Sequence, residues 1–499
     1  MASVDRNKFY KEAQRQAWAR LEQRGSRVWG VRLHLSERKL LLAAVDFALL
    51  SGALLLTLRL STTLIPQNIL QLPVKWFVSL AVVWAGVAAV LDLYNLARAA
   101  SPRDIFRAAL LGAALASLLY LVVPYFTPPL LKRSQIFLLL TFSMTSIPAW
   151  RLLYAYLFNQ PAFQRQALIV GAGSSGQALA HLLQAAQARG DANPFRGTGY
   201  VLLGFIEDDP AYRQQTAVGL PVWGASQDLV RLVRALHVDE VIVAVTDTRD
   251  LRPELFEAVL DCRELGIPVT TMPTVYERLL GRVAVDFAGR NVETATGVEV
   301  GAFVHLYQAF KRLADVAGGL VGLLLLLWVL PLVALGNRLW NPGPLLFRQQ
   351  RVGSGGRPFV VIKLRSMVLD AEKESGAVWA SSDDSRVTPL GHFLRRTHLD
   401  ELPQVINVLR GEMSLVGPRP ERPEFVGELS RLIPFYRARH CARPGITGWA
   451  QIHQDYGDSV AGAREKLEYD LYYVKHGSIT LDLIILLRTV SKVLGLRGR

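Results

Sequence analysis

Residues 313–335, LADVAGGLVGLLLLLWVLPLVAL, decide on which side of a membrane the last third of this chain lies. The run is just long enough for a helix to cross a bilayer core, which takes about 20 apolar residues. Pro331 sits near its end. A proline removes a backbone donor and clashes with the preceding turn, so it kinks a helix. A full crossing would put everything after it on the opposite face. A kinked, re-entrant helix over about 313–336 returns both ends to one face. Lys311 and Arg312 before it, and Arg338, Arg348 and Arg351 after it, favour the re-entrant form, because cationic flanks stay on the cytoplasmic side.

Four further apolar stretches lie upstream, at about 39–60, 73–94, 105–126 and 135–158. They are apolar on nearly every face, whereas helices of a soluble bundle carry a charged stripe. The expectation is four transmembrane helices over 39–160, preceded by a basic segment, 1–38. That segment has no short apolar core ending in a small-residue cleavage site, so no cleavable leader is expected. It carries ten cations up to Lys39, the 61–72 loop carries none, and the 95–104 loop carries Arg98 and Arg103. Positive loops stay inside, so both ends of the bundle are expected to face the cytoplasm. Lys132 and Arg133 fall on the outer side by this count and are a mild exception.

The whole chain has 499 residues, enough for two or three domains, and a net charge of +14. Such a surplus favours anionic partners: lipid headgroups, nucleic acid or phosphorylated metabolites. Cys262 and Cys441 form neither a metal-like spacing nor a disulfide framework, in keeping with a reducing compartment. Residues 161–300 read as a Rossmann-like α/β domain. QALIVGAGSSG (166–176) is a β-rich run leading through Gly171, Gly173 and Gly176 into a helical stretch, and YVLLGFIEDD, VDEVIVAV and IPVTTMP are further strands. Glycines at that spacing allow a tight strand-to-helix turn and close approach of a phosphate. The signal for a bound dinucleotide is weak: the acids that should follow after ~20 residues, here Glu207 and Asp208, come farther on, behind an insertion.

Beyond residue 351 the chain is polar and rich in Gly, Pro and Arg. VVIKLRSM (360–367) reads as a strand ending in Lys363 and Arg365, LGHFLRRT as a helix, and LPQVINVLRG as a second helix opening at Asp400 and Glu401. Acids at a helix start are stabilised by its dipole, which accounts for one carboxylate. It leaves unexplained why Lys363, Arg365, Arg395, Arg396 and Arg419 gather on short segments around two. A carboxylate can split a phosphoryl-type transfer into two steps through a covalent intermediate. Its handicap, repulsion by an anionic diphosphate, is relieved by Mg²⁺ and guanidinium groups.

KLRSM (363–367), RRTHLDELPQVINVLRGEMSLVGPRP (395–420), RPGITGWAQI (443–452) and KLEYDLYYVKHGSITLDLIILLRTV (466–490) occur in that order. Together they resemble the bacterial sugar transferase family, membrane-associated phosphoglycosyl transferases that begin exopolysaccharide, capsule and O-antigen repeat units. The likeness covers about 305–499, and the upstream bundle and α/β domain resemble the large form of the family. It implies a small α/β-type catalytic domain over 301–499, with a re-entrant helix and interfacial amphipathic helices such as 479–495. It implies transfer of a hexose 1-phosphate from a UDP-sugar to undecaprenyl phosphate with release of UMP, at the cytoplasmic face of a bacterial inner membrane. Asp400 would be the nucleophile and Glu401 would hold Mg²⁺. Arg395 and Lys363 would act on phosphate charge at the reacting centre, and Arg365, Arg396, Arg419 and Arg443 would bind the donor. Two positions depart from the family pattern: Leu364 replaces the usual Phe, and His398 a common Ser, neither removing a charge. The run Trp449–Gln451 points towards glucose rather than galactose. The partners expected are therefore donor, lipid acceptor and bilayer, without nucleic acid, and the α/β domain is available as a homodimer contact. Two other readings are a membrane-tethered NAD-dependent sugar-nucleotide oxidoreductase or epimerase, and a non-catalytic assembly scaffold. The first lacks a Tyr-x-x-x-Lys pair in 177–300, and the intact Asp-Glu pair argues against the second.

Overall fold

The computed structural model describes residues 35–60, 73–91, 93–94, 102–122, 127–128, 133–158, 165–188, 200–212, 216–245, 252–287, 297, 302–340, 342–369, 371, 386–454 and 459–494. They fall into two compact units, 1–272 and 273–499. The expectations for residues 1–34, the 61–72 loop, Arg98, Lys132 and the insertion at 189–199 lie outside the described residues.

The first unit opens with helices α1 (Leu35–Leu60), α2 (Val74–Val90), α3 (Pro102–Val122) and α4 (Arg133–Phe158). Leu42, Leu50, Leu54, Trp84, Ile105, Tyr120 and Ile147 share their core. Val78, Val82, Leu118, Leu119 and Phe137 face outward, an apolar exterior that suits lipid. Among the described residues three helices are long and apolar enough to cross a membrane: Leu40–Leu60, Arg133–Tyr156 and His305–Trp340. Val74–Ala89 and Ile105–Leu121 are shorter apolar helices. The bundle interior is not wholly apolar as expected. Arg151 of α4 pairs with Asp46 of α1, both fully buried, and donates to the Leu93 carbonyl at 2.9 Å. Each charge alone would be costly there, so each requires the other.

The α/β domain of this unit comprises β1 (Arg165–Val170), α5 (Ser174–Ala188), β2 (Tyr200–Ile206), β3 (Thr216–Ala217), β4 (Leu220–Gly224), α6 (Leu229–Ala235), β5 (Glu240–Val243), α7 (Pro253–Glu264) and β6 (Val269–Thr271). The sheet order is β3-β4-β2-β1-β5-β6, parallel except for β3 against β4. The core is a near-continuous apolar run from the inner strands, Leu168, Val170, Ile206 and Val241, covered by Leu229, Leu255 and Cys262. Strands buried on both faces read this way in parallel sheets.

The second unit takes in most of α8 (Met272–Leu280), the long helix α9 (Ala302–Trp340), the hairpin β7 (Leu346–Val352) and β8 (Pro358–Leu364), α10 (Pro389–Arg396), a 3-10 turn (Leu399–Gln404), α11 (Val405–Arg410), β9 (Ser414–Val416), α12 (Pro423–Leu432), β10 (Gly445–Thr447), α13 (Trp449–His453), α14 (Val460–His476) and α15 (Ile479–Leu494). Helix α9 stays helical through Pro331. Near its start Arg312 donates to the Val408 and Leu409 carbonyls at 2.7 and 2.8 Å, and Asp315 accepts from Ser414 Oγ and Leu415 N, both at 2.9 Å. Near its end Asn337 donates to the Gly343 carbonyl at 2.9 Å. Val333 packs with Leu364 and Leu394, and Arg365 reaches Asn337, so both ends of the apolar stretch are tied to one folded unit. Between them Leu320, Val321, Leu324, Leu325, Leu327 and Trp328 stand exposed.

Residues 273–287 pack into this unit. Val283 and Val285 join Leu429, Ile433, Tyr436, Leu467 and Leu471 in one core, and Glu277 takes Lys475 and His476 at 2.9 and 3.0 Å. Trp449 Nε1 donates to the Gly281 carbonyl at 2.6 Å.

Candidate active site

Strand β8 delivers Lys363. On its open side Asn407, fully buried, replaces a partner strand: its Oδ1 accepts from Ile362 N at 3.2 Å and its Nδ2 donates to the Val360 carbonyl at 2.7 Å. That staple holds β8 against α11 and fixes Lys363 relative to the turn before α11. Helix α10 begins with Thr388 capping Gly391 N at 3.0 Å and with Pro389 in its first turn. Gly391 lies so close to the Ser366 backbone that a β-carbon would fall 1.9 Å from its carbonyl oxygen. At the other end of α10, Arg395 Nε donates to Ser366 Oγ at 2.9 Å.

The paired acids do not open an α-helix as expected. His398 takes φ +57°, in the left-handed region, and the chain restarts as the 3-10 turn. With three residues per turn, neighbouring side chains point about 120° apart, so adjacent acids enter different surroundings. Glu401 accepts from Lys363 Nζ at 2.9 Å and from Arg419 at 2.5 and 3.2 Å. Burial alone would raise its pKa, but Arg419 and Lys363 together hold it well below the usual carboxylate range. Asp400 is 9% exposed. Burial, then the charge on Glu401, push its pKa up to about 6, although Lys363, Arg419 and Arg395 pull the other way. Among the described residues none donates a hydrogen bond to the Asp400 carboxylate.

Arg419 comes from the turn Gly417–Pro420, where β9 and β10 run parallel. Gly417 N donates to the Thr447 carbonyl at 2.8 Å and Gly445 N to the Pro418 carbonyl at 3.0 Å. The two segments touch backbone to backbone: a β-carbon on Gly445 would lie 2.1 Å from Gly417 N. The glycines of GPRP and RPGITG are there for that crossing.

The structure therefore gathers Asp400, Glu401, Lys363, Arg419 and Arg395. Arg365 is turned away: it is buried, and its Nε donates to the Pro344 carbonyl at 2.8 Å while its Nη2 reaches Asn337 at 3.3 Å. It braces β8 against the end of α9 and is not among the side chains gathered at the acid pair. A strand ending in Lys-x-Arg points both cations to one face only if the strand continues; here it ends at Leu364. Arg396 and Arg443 are exposed. Ser366 and Asn407 were not foreseen, since neither carries charge or a distinctive spacing.

No group of three or more His, Cys, Asp or Glu side chains forms a metal cluster among the described residues. Asp400 and Glu401 nonetheless suit Mg²⁺, which is commonly held by one or two carboxylates with waters and substrate phosphates completing its shell.

At the glycine turn of the α/β domain, Gly171 has φ +102°, and a β-carbon on Gly176 would fall 1.9 Å from the Gly171 carbonyl oxygen. The Glu207 carboxylate already accepts from Ala172 N at 2.7 Å, and from Asp208 and Asp209 N at 2.9 and 3.1 Å.

Residues 306–496 match the family described as bacterial sugar transferase, and residues 89–273 match a family described as CoA-binding domain. The UDP-glucose:undecaprenyl-phosphate glucose-1-phosphate transferase of Xanthomonas campestris pv. campestris is 33% identical over 68% of this chain and 69% of its own. The UDP-N-acetylgalactosamine-undecaprenyl-phosphate N-acetylgalactosaminephosphotransferase of Aeromonas hydrophila is 38% identical over 52% of this chain, and the match takes in 60% of that relative's length. The UDP-glucose:undecaprenyl-phosphate glucose-1-phosphate transferase of Escherichia coli (strain K12) is 45% identical over 54% of this chain and 57% of its own.

Proposed function

We propose, since this chain belongs to the bacterial sugar transferase family, that it moves a hexose 1-phosphate from a UDP-sugar to undecaprenyl phosphate through a covalent phosphosugar on Asp400. The observation that carries this reading is the division of labour between neighbours. Glu401 is neutralised by Lys363 and Arg419, whereas Asp400 is buried, unbonded among the described residues and raised to about 6. At neutral pH it is still ionised, and more basic than an ordinary aspartate.

In the first step an Asp400 oxygen attacks the sugar-bearing phosphorus, the bridging P–O bond breaks, and UMP leaves with the electron pair. In the second step the acceptor's phosphate oxygen attacks the same phosphorus and Asp400 leaves as carboxylate. Arg395, Lys363 and Arg419 balance the charge that spreads over the equatorial oxygens. Glu401, with Asp400 as its neighbour, would hold Mg²⁺, which would supply Lewis-acid stabilisation of that charge.

The acceptor lies in a bilayer with its phosphate at headgroup level. The ties of α9 to one unit, at Arg312 and Asp315 near its start and at Val333 and Asn337 near its end, support a helix that enters the membrane, bends at Pro331 and returns rather than crosses. Amphipathic α15 supports seating at the same depth, with Leu481 and Ile485 buried and Ile479, Leu483 and Val490 outward. We read α1–α4 as four spans and both units as cytoplasmic outside them. The α/β domain then serves assembly or regulation. The hexose is glucose or N-acetylgalactosamine by the names of the relatives. The test is incubation with a panel of UDP-sugars without acceptor, then peptide mass mapping. A hexose-phosphate adduct on the Asp400 peptide, with one equivalent of UMP, is expected; UMP release on adding acceptor with no adduct at any stage overturns the covalent mechanism.

A further inference from the structure

Arg419 reaches Glu401 from a turn whose carbonyls are themselves gripped from behind. Arg439 Nη2 donates to the Arg419 carbonyl at 2.9 Å and to Asp470 Oδ2 at 2.6 Å, and its Nη1 donates to Tyr436 Oη at 2.8 Å. Arg439 and Asp470 are 2% and 1% exposed. One residue on, Arg351 Nη1 donates to the Pro420 carbonyl at 3.2 Å, and Val352 N donates to the Glu421 carbonyl at 2.9 Å. Glu421 pairs with Lys466. None of these side chains contacts Asp400 or Glu401. Among the described residues, Arg439 is the group that joins the Arg419 main chain to α14, through Asp470.

A buried ion pair is poor value as a stabiliser. Removing two charges from water costs several kcal/mol each, and an apolar pair of similar volume often does as well. A guanidinium is, however, the side chain that can donate in one plane to a carboxylate, a phenol and a carbonyl together. Its bond to the Arg419 carbonyl fixes the main chain at the residue whose side chain must meet Glu401 within a few tenths of an ångström.

We propose that Arg439, held by Asp470 and Tyr436, is a positioning residue that acts on the transferase reaction solely by placing Arg419. The inference rests on the reading of Glu401 and Arg419 as part of the site, and it adds the device that sets their geometry. Outer groups of this kind typically cost 10–100-fold in activity when altered. Arg439→Lys keeps a charge beside Asp470 but cannot make all three donations, so kcat for UMP release is expected to fall 10–100-fold. Tyr436→Phe, which removes one hydroxyl and leaves the packing, is expected to fall about 3–10-fold on the same grounds.

The deciding measurement repeats both changes in the full-length protein carrying Arg419→Lys, which keeps a cation and a measurable rate. If Arg439 acts through Arg419, each change costs less than about twofold in that background. If Arg439 serves only the fold, the losses multiply in both backgrounds and the inference is overturned. Should Arg439→Lys fail to fold, by circular dichroism in detergent, the Tyr436→Phe cycle decides alone. Arg419→Lys with wild-type turnover would instead overturn the site reading itself, so the two failures are told apart.

Discussion

Asp400→Asn should stop UMP release and at the same time make the ligand-free enzyme more stable. The carboxylate is 9% exposed, and its pKa is raised from 3.8 to about 6 by burial and by Glu401. At 1.36 kcal/mol for each pKa unit, keeping it ionised in the fold costs on the order of 3 kcal/mol. The sign follows from linkage. A group whose pKa is raised in the fold contributes its full stability below about 3.8, where it is protonated in both states. That contribution is lost as pH rises to about 6 and stays lost above it. Asparagine is close in shape and carries no charge, so it escapes the loss. For a unit of this size, residues 273–499, ~3 kcal/mol corresponds to about 6–12 °C in unfolding midpoint. The assay is thermal unfolding in detergent with chelator and no nucleotide, comparing wild type and variant at pH 7.5 and pH 4. The variant should melt higher at pH 7.5, and the gap should close at pH 4. A variant that melts lower at pH 7.5, or a gap of equal size at both pH values, would refute the strained carboxylate.

Initial rates of UMP release at low donor concentration should fall about tenfold per pH unit below an inflection near 6, because Asp400 must be ionised to attack; a flat profile down to pH 5 would remove it as nucleophile. Chelation should stop turnover and added Mg²⁺ restore it, measured as UMP release, and indifference to chelator would reject the metal. Lys363→Met should abolish activity and also lower the unfolding midpoint, because it takes one of two cations from the buried Glu401, whereas Arg365→Met should lower the midpoint with the smaller loss of activity, since its charged hydrogen bonds, worth about 1.5–3 kcal/mol each, go to Pro344 and Asn337. A chain beginning at residue 300 should be less stable than one beginning at 273, because it loses the buried Val283 and Val285, worth roughly 1.5–3 kcal/mol apiece; equal midpoints would show that 273–287 is not part of the unit.

The elements were legible where a single period governs a segment. The strands at 200–206, 240–243 and 269–271 and the helix at 479–494 lie within the β-rich apolar runs and the amphipathic stretch that mark them in the sequence. The apolar helices were legible too, but not the ion pair inside them. Asp46 and Arg151 are 105 residues apart in sequence and become intelligible only as partners. Lys363 and Arg419 lie beside the Asp400–Glu401 pair, as their proximity in the motifs suggests, whereas Arg365 bonds to Pro344 and Asn337. Composition shows that cations are near, while the direction of each side chain depends on where the strand ends. The segment 273–287 falls by sequence inside the α/β domain bounded at 300, and its place in the second unit depends on long-range contacts such as Glu277 with Lys475.

Two acids in adjacent positions look wasteful until their surroundings are compared. Adjacent side chains on a helical turn point to different sides, and here Glu401 meets Lys363 and Arg419, while Asp400 turns into a buried position within the field of the same cations but without a bond to them among the described residues. One pKa is driven down and its neighbour's up. Titratable neighbours driven apart in this way mark groups with different roles. The cations that neutralise Glu401 also limit how far Asp400 can rise. That limit matters, because an aspartate raised much above neutrality would be protonated and unable to attack. On the proposed mechanism Lys363 and Arg419 would thus have a second effect besides binding phosphate: they would keep the Asp400 carboxylate basic yet ionised.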